Sequence, residues 1–200
     1  KSLQDITRTP ETKIVWGSGG EVCHKEAGYS YILDPEKVMF SMGNREEKAR
    51  IARMVMESPC PGRIADMFAG IGYFSVPLAG AGATVHAMEI NPVAFDYLVR
   101  SIGANNLSCR ITPALGDCRQ LLSGTYDRFI MGHFDSITML PDALRHAAPG
   151  SVLHVHSIGP VEDLVREYTD SAGFSATIHV HKVKKYRPHA WHMVQDVYLA

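Results

Sequence analysis

Residues 63–90 read RIADMFAGIGYFSVPLAGAGATVHAMEI, and the architecture of the chain follows from them. RIADMFA is a short apolar run with the character of a buried strand; YFSVPLAGAG is a helix stopped by glycine; TVHAMEI is a second strand. A strand, a helix and a strand in succession make a βαβ unit, whose strands lie parallel in one sheet. The first turn, Ala69-Gly70-Ile71-Gly72, is small enough for the backbone to approach a ligand closely. It is not the dinucleotide fingerprint, because Ser75 stands where a third glycine is required. Asp66 ends the first strand, and a carboxylate there would repel a pyrophosphate but suit a cationic, amino-bearing ligand. A surface or capping role for Asp66 is the plainer alternative.

Outward from this unit the alternation continues. PVAFDYLVRSIGANN is a helix with proline in its first turn, and CRITPALGD, DRFIMGH and SVLHVHSIG are three more strands. SITMLPDALRHAAPG and VEDLVREYTDSAG supply the helices between them, while SATIHVHKVKKY and WHMVQDVYLA, joined by a short loop, pair antiparallel. The expectation is an α/β fold with a seven-stranded sheet, parallel except for an antiparallel C-terminal edge hairpin. Upstream, KIVWG, EVCHKE and YSYILD are short β runs, the latter two joined through Ala27-Gly28 as a hairpin. REEKARIARMVMESP is an amphipathic helix with Ala49, Ala52, Val55 and Met56 at helical spacing, Asn44 as N-cap, and Pro59 and Pro61 as its stop. The chain therefore divides into a β-containing extension, residues 1–43, and a core, residues 44–200. It begins at Lys1 rather than Met, so a preceding piece is expected.

Twenty Lys plus Arg against twenty-one Asp plus Glu leave a net charge of -1, which excludes a protein that coats nucleic acid and requires any such partner to meet a local patch. Four scattered cysteines without a CxxC pair fit a reduced, cytoplasmic compartment. No apolar run approaches the roughly 20 residues that span a bilayer.

The strand ends narrow the ligand. Glu89 closes the second strand, where a carboxylate can accept from both ribose hydroxyls. Asp117, in GDCR, closes the third and can bond the exocyclic amine of adenine, with the Cys118 backbone on a ring nitrogen. With Asp66 and the Gly70 turn, three acids at successive strand ends describe an adenosine with a positive tail. S-adenosylmethionine (SAM) fits that description better than NAD or ATP.

FSMGNREEKARIA (40–52), DMFAGIGYFSVPLA (66–79), MEINPVAFDYLV (88–99) and GDCR (116–119) together resemble the tRNA guanine methyltransferase and wybutosine-synthesising family, from about Lys13 to the C-terminus. The resemblance implies a class I methyltransferase (Rossmann-like) fold, with residues 1–43 the remnant of a front part that positions tRNA. It also implies that Ser41 and Lys48 reach SAM, that Glu89 holds the ribose and Asp117 with Cys118 the adenine, and that Phe40, Asn44 and Glu47 shape the pocket. A solvated helix face is the plain alternative for Lys48. The methylating branch carries N-x-P after the fourth strand. Here IMGHFDS has Gly132, His133 and Phe134 instead. That resembles the branch transferring the 3-amino-3-carboxypropyl group of SAM to a tricyclic guanosine derivative beside the tRNA anticodon, with methylthioadenosine leaving. Guanine-N1 methylation, or binding of SAM or RNA without turnover, are the alternatives. His133 or Asp135 would accept the proton lost from the base, and Phe134 would stack on it; His133 could equally satisfy a backbone group.

Two HVH motifs, His154/His156 and His179/His181, lack a spaced acid or cysteine and read as strand histidines with ordinary partners, so no metal is expected. Lys182, Lys184, Lys185 and Arg187, interleaved with Tyr186 and Trp191, could meet the tRNA backbone; a solvated edge strand is the even alternative. A monomer is expected.

Overall fold

A computed structural model describes residues 3–4 and 9–200. Two small antiparallel pairs come first: β1 (Leu3–Gln4) with β2 (Thr9–Pro10), and β3 (Val22–Glu26) with β4 (Tyr29–Leu33). Helix α1 (Arg45–Met56) leads into β5 (Arg63–Asp66), α2 (Ser75–Gly80), β6 (Thr84–Glu89), α3 (Pro92–Ala104) and β7 (Ile111–Leu115). After the short α4 (Cys118–Leu121) come β8 (Arg128–Met131), α5 (Leu140–Leu144), β9 (Val152–Ile158) and α6 (Glu162–Ser171). The hairpin β10 (Ala176–Arg187) and β11 (Ala190–Leu199) closes the chain.

The sheet has seven strands in the order β10-β11-β9-β8-β5-β6-β7. β5 lies parallel to both β6 and β8, and β11 is antiparallel to β9 and β10, as the alternation implied. From β5 the chain steps outward to β6 and β7, then returns to β8 on the other side. That reversal opens a crevice beyond the strand ends, where ligands of open sheets bind. Neighbouring residues serve opposite faces: Ile64 and Ile130 join one buried cluster with Ile51, Val76 and Leu98, while Ala65 and Phe129 join a second with Leu140 and Val165. Covering both faces explains why these strands read as continuous apolar runs.

The front hairpin is fastened to this core. Tyr31 and Leu33 belong to the first cluster. The Ser30 N–H donates to Asn105 Oδ1 at 2.9 Å, the Asn105 amide returns a bond to Ser30 O at 2.7 Å, and the Ile32 N–H donates to Ser101 Oγ at 3.0 Å. Side chains of α3 and its C-cap residue Asn105 thus stand in for a neighbour strand. Gly80 contributes by absence, since a methyl there would overlap the Tyr29 hydroxyl.

Two local expectations are corrected. KIVWG is not a strand: residues 11–21 are irregular, and Val15 and Trp16 are 92% and 95% exposed, with no strand beside them among the described residues to take their backbone groups. In α1 the buried residues are Glu47, Lys48, Ile51 and Val55, whereas Met56 is exposed. The true face is partly ionic, which a hydrophobic pattern cannot register. Asn44 occupies the N-cap position without a side-chain cap bond. Asn91 does cap α3, accepting from the Val93 N–H at 2.9 Å with Pro92 in the first turn.

The ionic face of α1 meets the sheet through Arg50, which reaches Glu47 Oε1 and Asp196 Oδ2 at 2.6 Å each. Asp196 also faces His154 Nδ1 at 2.5 Å, and His154 Nε2 faces Arg128. Because Arg128 can only donate, the His154 proton sits on Nδ1, toward Asp196. Burial works against the Asp196 charge, but the bonds from His154 and Arg50 hold its carboxyl well below the usual range. Arg50→Ala would leave two buried carboxylates side by side; urea unfolding should show a loss of about 3 kcal/mol.

Candidate active site

The ends of β5, β6, β7 and β8 open into one cavity of about 780 Å³. Its floor is the turn after β5. Gly70 has φ +57, which aims its N–H at Glu89 Oε2, 2.7 Å away; a methyl at this position would lie 2.8 Å from the Tyr73 ring. The other Glu89 oxygen accepts from the Asn91 N–H at 2.7 Å, and the Glu89 carbonyl accepts from the Gly116 N–H at 2.9 Å. One residue thus draws together the loops after β5, β6 and β7.

Asp117 lies at the next strand end and caps α4 through the Arg119 N–H at 3.0 Å. The hydrogen-bonded Arg119 guanidinium lowers its pKa, so it is a carboxylate at neutral pH. Cys118 beside it is buried, its Sγ 3.6 Å from Met139 Sδ, and burial pushes the thiol up to about 12.

Asp66 is not at the mouth. It is wholly buried behind the turn and outside the cavity wall, because its oxygens are taken up by the Ser75 hydroxyl at 2.6 Å and the Phe68 N–H at 3.4 Å. Burial raises its carboxyl to about 6, against the pull of those bonds. It braces the floor rather than facing a ligand.

Ser41 and Lys48 both line the cavity. The Lys48 ammonium pairs with Glu26 of the front hairpin and sits 5.3–5.9 Å from the Tyr31, Phe40 and Tyr73 ring centres. Burial opposes the charge on Glu26, yet Lys48 and Arg45 together keep its carboxyl below the ordinary range. Glu26 was invisible in the sequence, since nothing local to EVCHKE connects it with a helix twenty residues on. Asn44 Oδ1 is buried at the cavity wall and accepts no hydrogen bond, so a ligand donor there would complete it.

The far end carries His133, Phe134 and Asp135. His133 stacks on Phe68 at 5.4 Å, and its Nδ1 accepts from the Asp135 N–H at 3.1 Å. A neutral His133 therefore carries its proton on Nε2, which makes it a donor there. The Asp135 side chain is 86% exposed. Phe134 stands edge-on to Tyr186 and His192, with centroids at 5.2 and 5.0 Å.

The basic stretch does not form one patch. Lys182 pairs across the hairpin with Met193 but Lys184 with His192, so Val183 is an extra residue, a β-bulge. The bulge puts Lys182 and Lys184 on opposite faces: Lys182 lies over the Trp191 ring at 5.7 Å, whereas Lys184 and Tyr186 line the cavity. Lys185 sits across from Trp191, and a second shift precedes Arg187. A more open hollow of about 660 Å³ between α1 and β10 is lined by Glu46, Arg53 and Lys182 together with the paired Glu47 and Arg50.

The histidine pairs have ordinary partners. His181 reaches Asp196 at 3.1 Å, His179 packs on Tyr198, and His156 Nδ1 faces His192 Nε2 at 2.9 Å. Among the described residues no three metal-ligating side chains cluster.

The brace has a titration signature. A folded-state pKa raised above the unfolded value means that the Asp66 contribution is fully present below about pH 4 and is lost as pH rises through 6. Asp66→Asn should abolish that slope, so the difference between variant and parent in denaturant unfolding should change between pH 4 and 6 and then level off.

Comparison with known proteins places this geometry. A model of the TRM5/TYW2 methyltransferase domain matches residues 22–184. The Methanocaldococcus jannaschii tRNA(Phe) (4-demethylwyosine(37)-C(7)) aminocarboxypropyltransferase is 37% identical over 202 positions, covering 94% of this chain and 79% of that protein. The crystal structure of M. jannaschii TYW2 in complex with AdoMet superposes with a TM-score of 0.83 at 33% identity, over 94% of this chain and 89% of that one. That of Pyrococcus horikoshii TYW2 in complex with MeSAdo gives 0.86 at 31% identity, over 94% and 74%. With a match across most of its length and relatives above 30% identity, the chain belongs to the TRM5/TYW2 methyltransferase-domain family.

Proposed function

We propose that this chain transfers the 3-amino-3-carboxypropyl group of SAM to C7 of a tricyclic guanosine derivative beside the anticodon of tRNA. The observation that carries this reading is the M. jannaschii aminocarboxypropyltransferase, alike over 94% of the chain. The segment after β8, which reads GHFD where the methylating branch would have N-x-P, agrees with it. When bound, SAM supplies an electrophilic γ-carbon: the acceptor carbon bonds to it, sulfur keeps the electron pair of the broken bond and leaves as methylthioadenosine, and the acceptor carbon loses its proton.

The residues at hand fit that ligand. Asp117, ionised by its Arg119 pair, accepts from the adenine amine while the Cys118 backbone donates to the ring, and the Glu89 carboxylate accepts from the ribose hydroxyls. Gly70 keeps the floor low enough for the nucleoside, and Ser41 and Lys48 close the wall on the α1 side. At the acceptor end Phe134 and Tyr186 give the base an aromatic boundary. Asp135, the carboxylate of the HFD segment, is the proton acceptor, with His133 orienting the acceptor by its Nε2–H. Lys182, Lys185 and Arg187 face the tRNA phosphates from the edge hairpin, and residues 1–43 act as the front extension that positions the tRNA. The reading calls for a single chain working in the cytoplasm, and its chemistry uses no metal.

Two measurements test it. Incubation with substrate tRNA and SAM labelled separately in the methyl and carboxyl positions should place the carboxyl label on tRNA and release methylthioadenosine. Methyl label on tRNA with S-adenosylhomocysteine would overturn the reading. In calorimetry, Glu89→Ala and Asp117→Ala should each weaken SAM binding by about tenfold or more, the loss of a charge-assisted hydrogen bond. Unchanged affinity would remove these residues from the nucleoside site.

A further inference from the structure

Behind the acceptor end of the cavity two imidazoles lie wholly buried, His156 on β9 and His192 on β11. Burial keeps both neutral, lowering His156 well below its ordinary range and His192 to about 4. His156 Nδ1 faces His192 Nε2 at 2.9 Å, so one ring donates to the other. Their outer nitrogens, His156 Nε2 and His192 Nδ1, are buried without a hydrogen-bond partner. Whichever ring donates, one outer nitrogen is an N–H and the other a bare acceptor, and neither is satisfied. Stability alone does not account for such a pair, since apolar side chains of the same shape would leave nothing unpaired. What a hydrogen-bonded pair supplies, and an apolar one does not, is a fixed rotation of both rings.

That rotation is passed along a row of rings. His156 stands edge-on to Phe74 with centroids 5.5 Å apart. His192 stands edge-on to Phe134 at 5.0 Å, and Phe134 to Tyr186 at 5.2 Å. Phe74, Phe134 and Tyr186 all line the cavity, whereas the two histidines are not among its walls. Phe74 follows the floor turn and precedes α2, and in the reading above Phe134 borders the acceptor base. The Ser136 hydroxyl donates to the His156 carbonyl at 3.3 Å, tying the loop after β8 to the same strand. We propose that the His156–His192 pair is a positioning element that holds the Phe134 ring at a fixed place relative to the floor turn, and so sets where the acceptor base stacks. The inference rests on the acceptor-end reading given above and names what enforces it. A leucine pair would fill the space but let Phe134 turn about its side-chain bonds, and a misplacement of about 1 Å is enough to slow a transfer by about a hundredfold.

Turnover is read as total label reaching tRNA from SAM labelled in both its methyl and carboxyl groups, so the identity of the transferred group does not enter. His192→Leu should lower kcat/KM for tRNA by about tenfold or more while calorimetry finds SAM affinity unchanged. His192→Phe, which keeps a ring of similar size and deletes the bond, should show the same loss and guards against a variant that fails to fold. His156→Asn, whose amide reaches the place of Nδ1, should retain most of the rate where His156→Leu does not. Because the pair acts through Phe134, adding His192→Leu to Phe134→Ala should lower the rate no further. Losses that multiply in the double variant, or SAM affinity falling in parallel with turnover, would mean general support of the fold and would overturn the proposal. So would equal losses in His156→Asn and His156→Leu. If Phe134→Ala slows turnover while His192→Leu does not, the acceptor-end reading stands and the role of the pair falls. If Phe134→Ala is itself without effect, the acceptor base lies elsewhere and both fall.

Discussion

The two oxygens of Glu89 accept from the Gly70 and Asn91 N–H groups, and the cavity is arranged around that carboxylate. Its own carbonyl holds the Gly116 N–H, so three loops from three parallel strands converge on one residue. The arrangement requires Gly70 at φ +57 and a buried Asp66 bracing the turn from behind through Ser75. The two carboxylates at successive strand ends therefore have different tasks. The hidden one fixes backbone; the one at the crevice fixes backbone and also lines the cavity.

The wall opposite is assembled from distant parts of the chain. Lys48 on α1, Glu26 on β3, and the rings of Tyr31, Phe40 and Tyr73 enclose one ammonium. A buried cation is tolerable only when paired and surrounded in this way. The same helix is fixed on its other side by Arg50 between Glu47 and Asp196. Both sets of contacts place Ser41 and Asn44, just before α1, against the crevice, so the position of this helix sets the shape of the pocket.

Much of the fold was legible because its signals are local. Glycine and proline punctuate the strand–helix alternation, and Pro92 marks a helix start that the structure shows to be capped by Asn91. Glu89, Asp117 and Cys118 were legible as strand-end residues, for their place follows from the alternation alone. Asp66 was misplaced because sequence gives the strand end but not the direction of the side chain. KIVWG has strand composition but, among the described residues, no neighbour to pair with. The buried face of α1 escaped because Glu47 and Lys48 are inside only by virtue of Arg50 and Glu26. The KVKK stretch reads as a uniform basic edge under strict alternation, and the single extra residue at Val183 undoes that.

Cys118 has a practical consequence. Its thiol is buried against Met139 and held protonated far above neutral pH, whereas Cys23, Cys60 and Cys109 are exposed. Thiolate, not thiol, is the reactive form, so an alkylating reagent at neutral pH would mark those three sulfurs and spare the fourth. Slow modification of Cys118 would then report loosening of the packing around α4, a built-in gauge that needs no engineered probe.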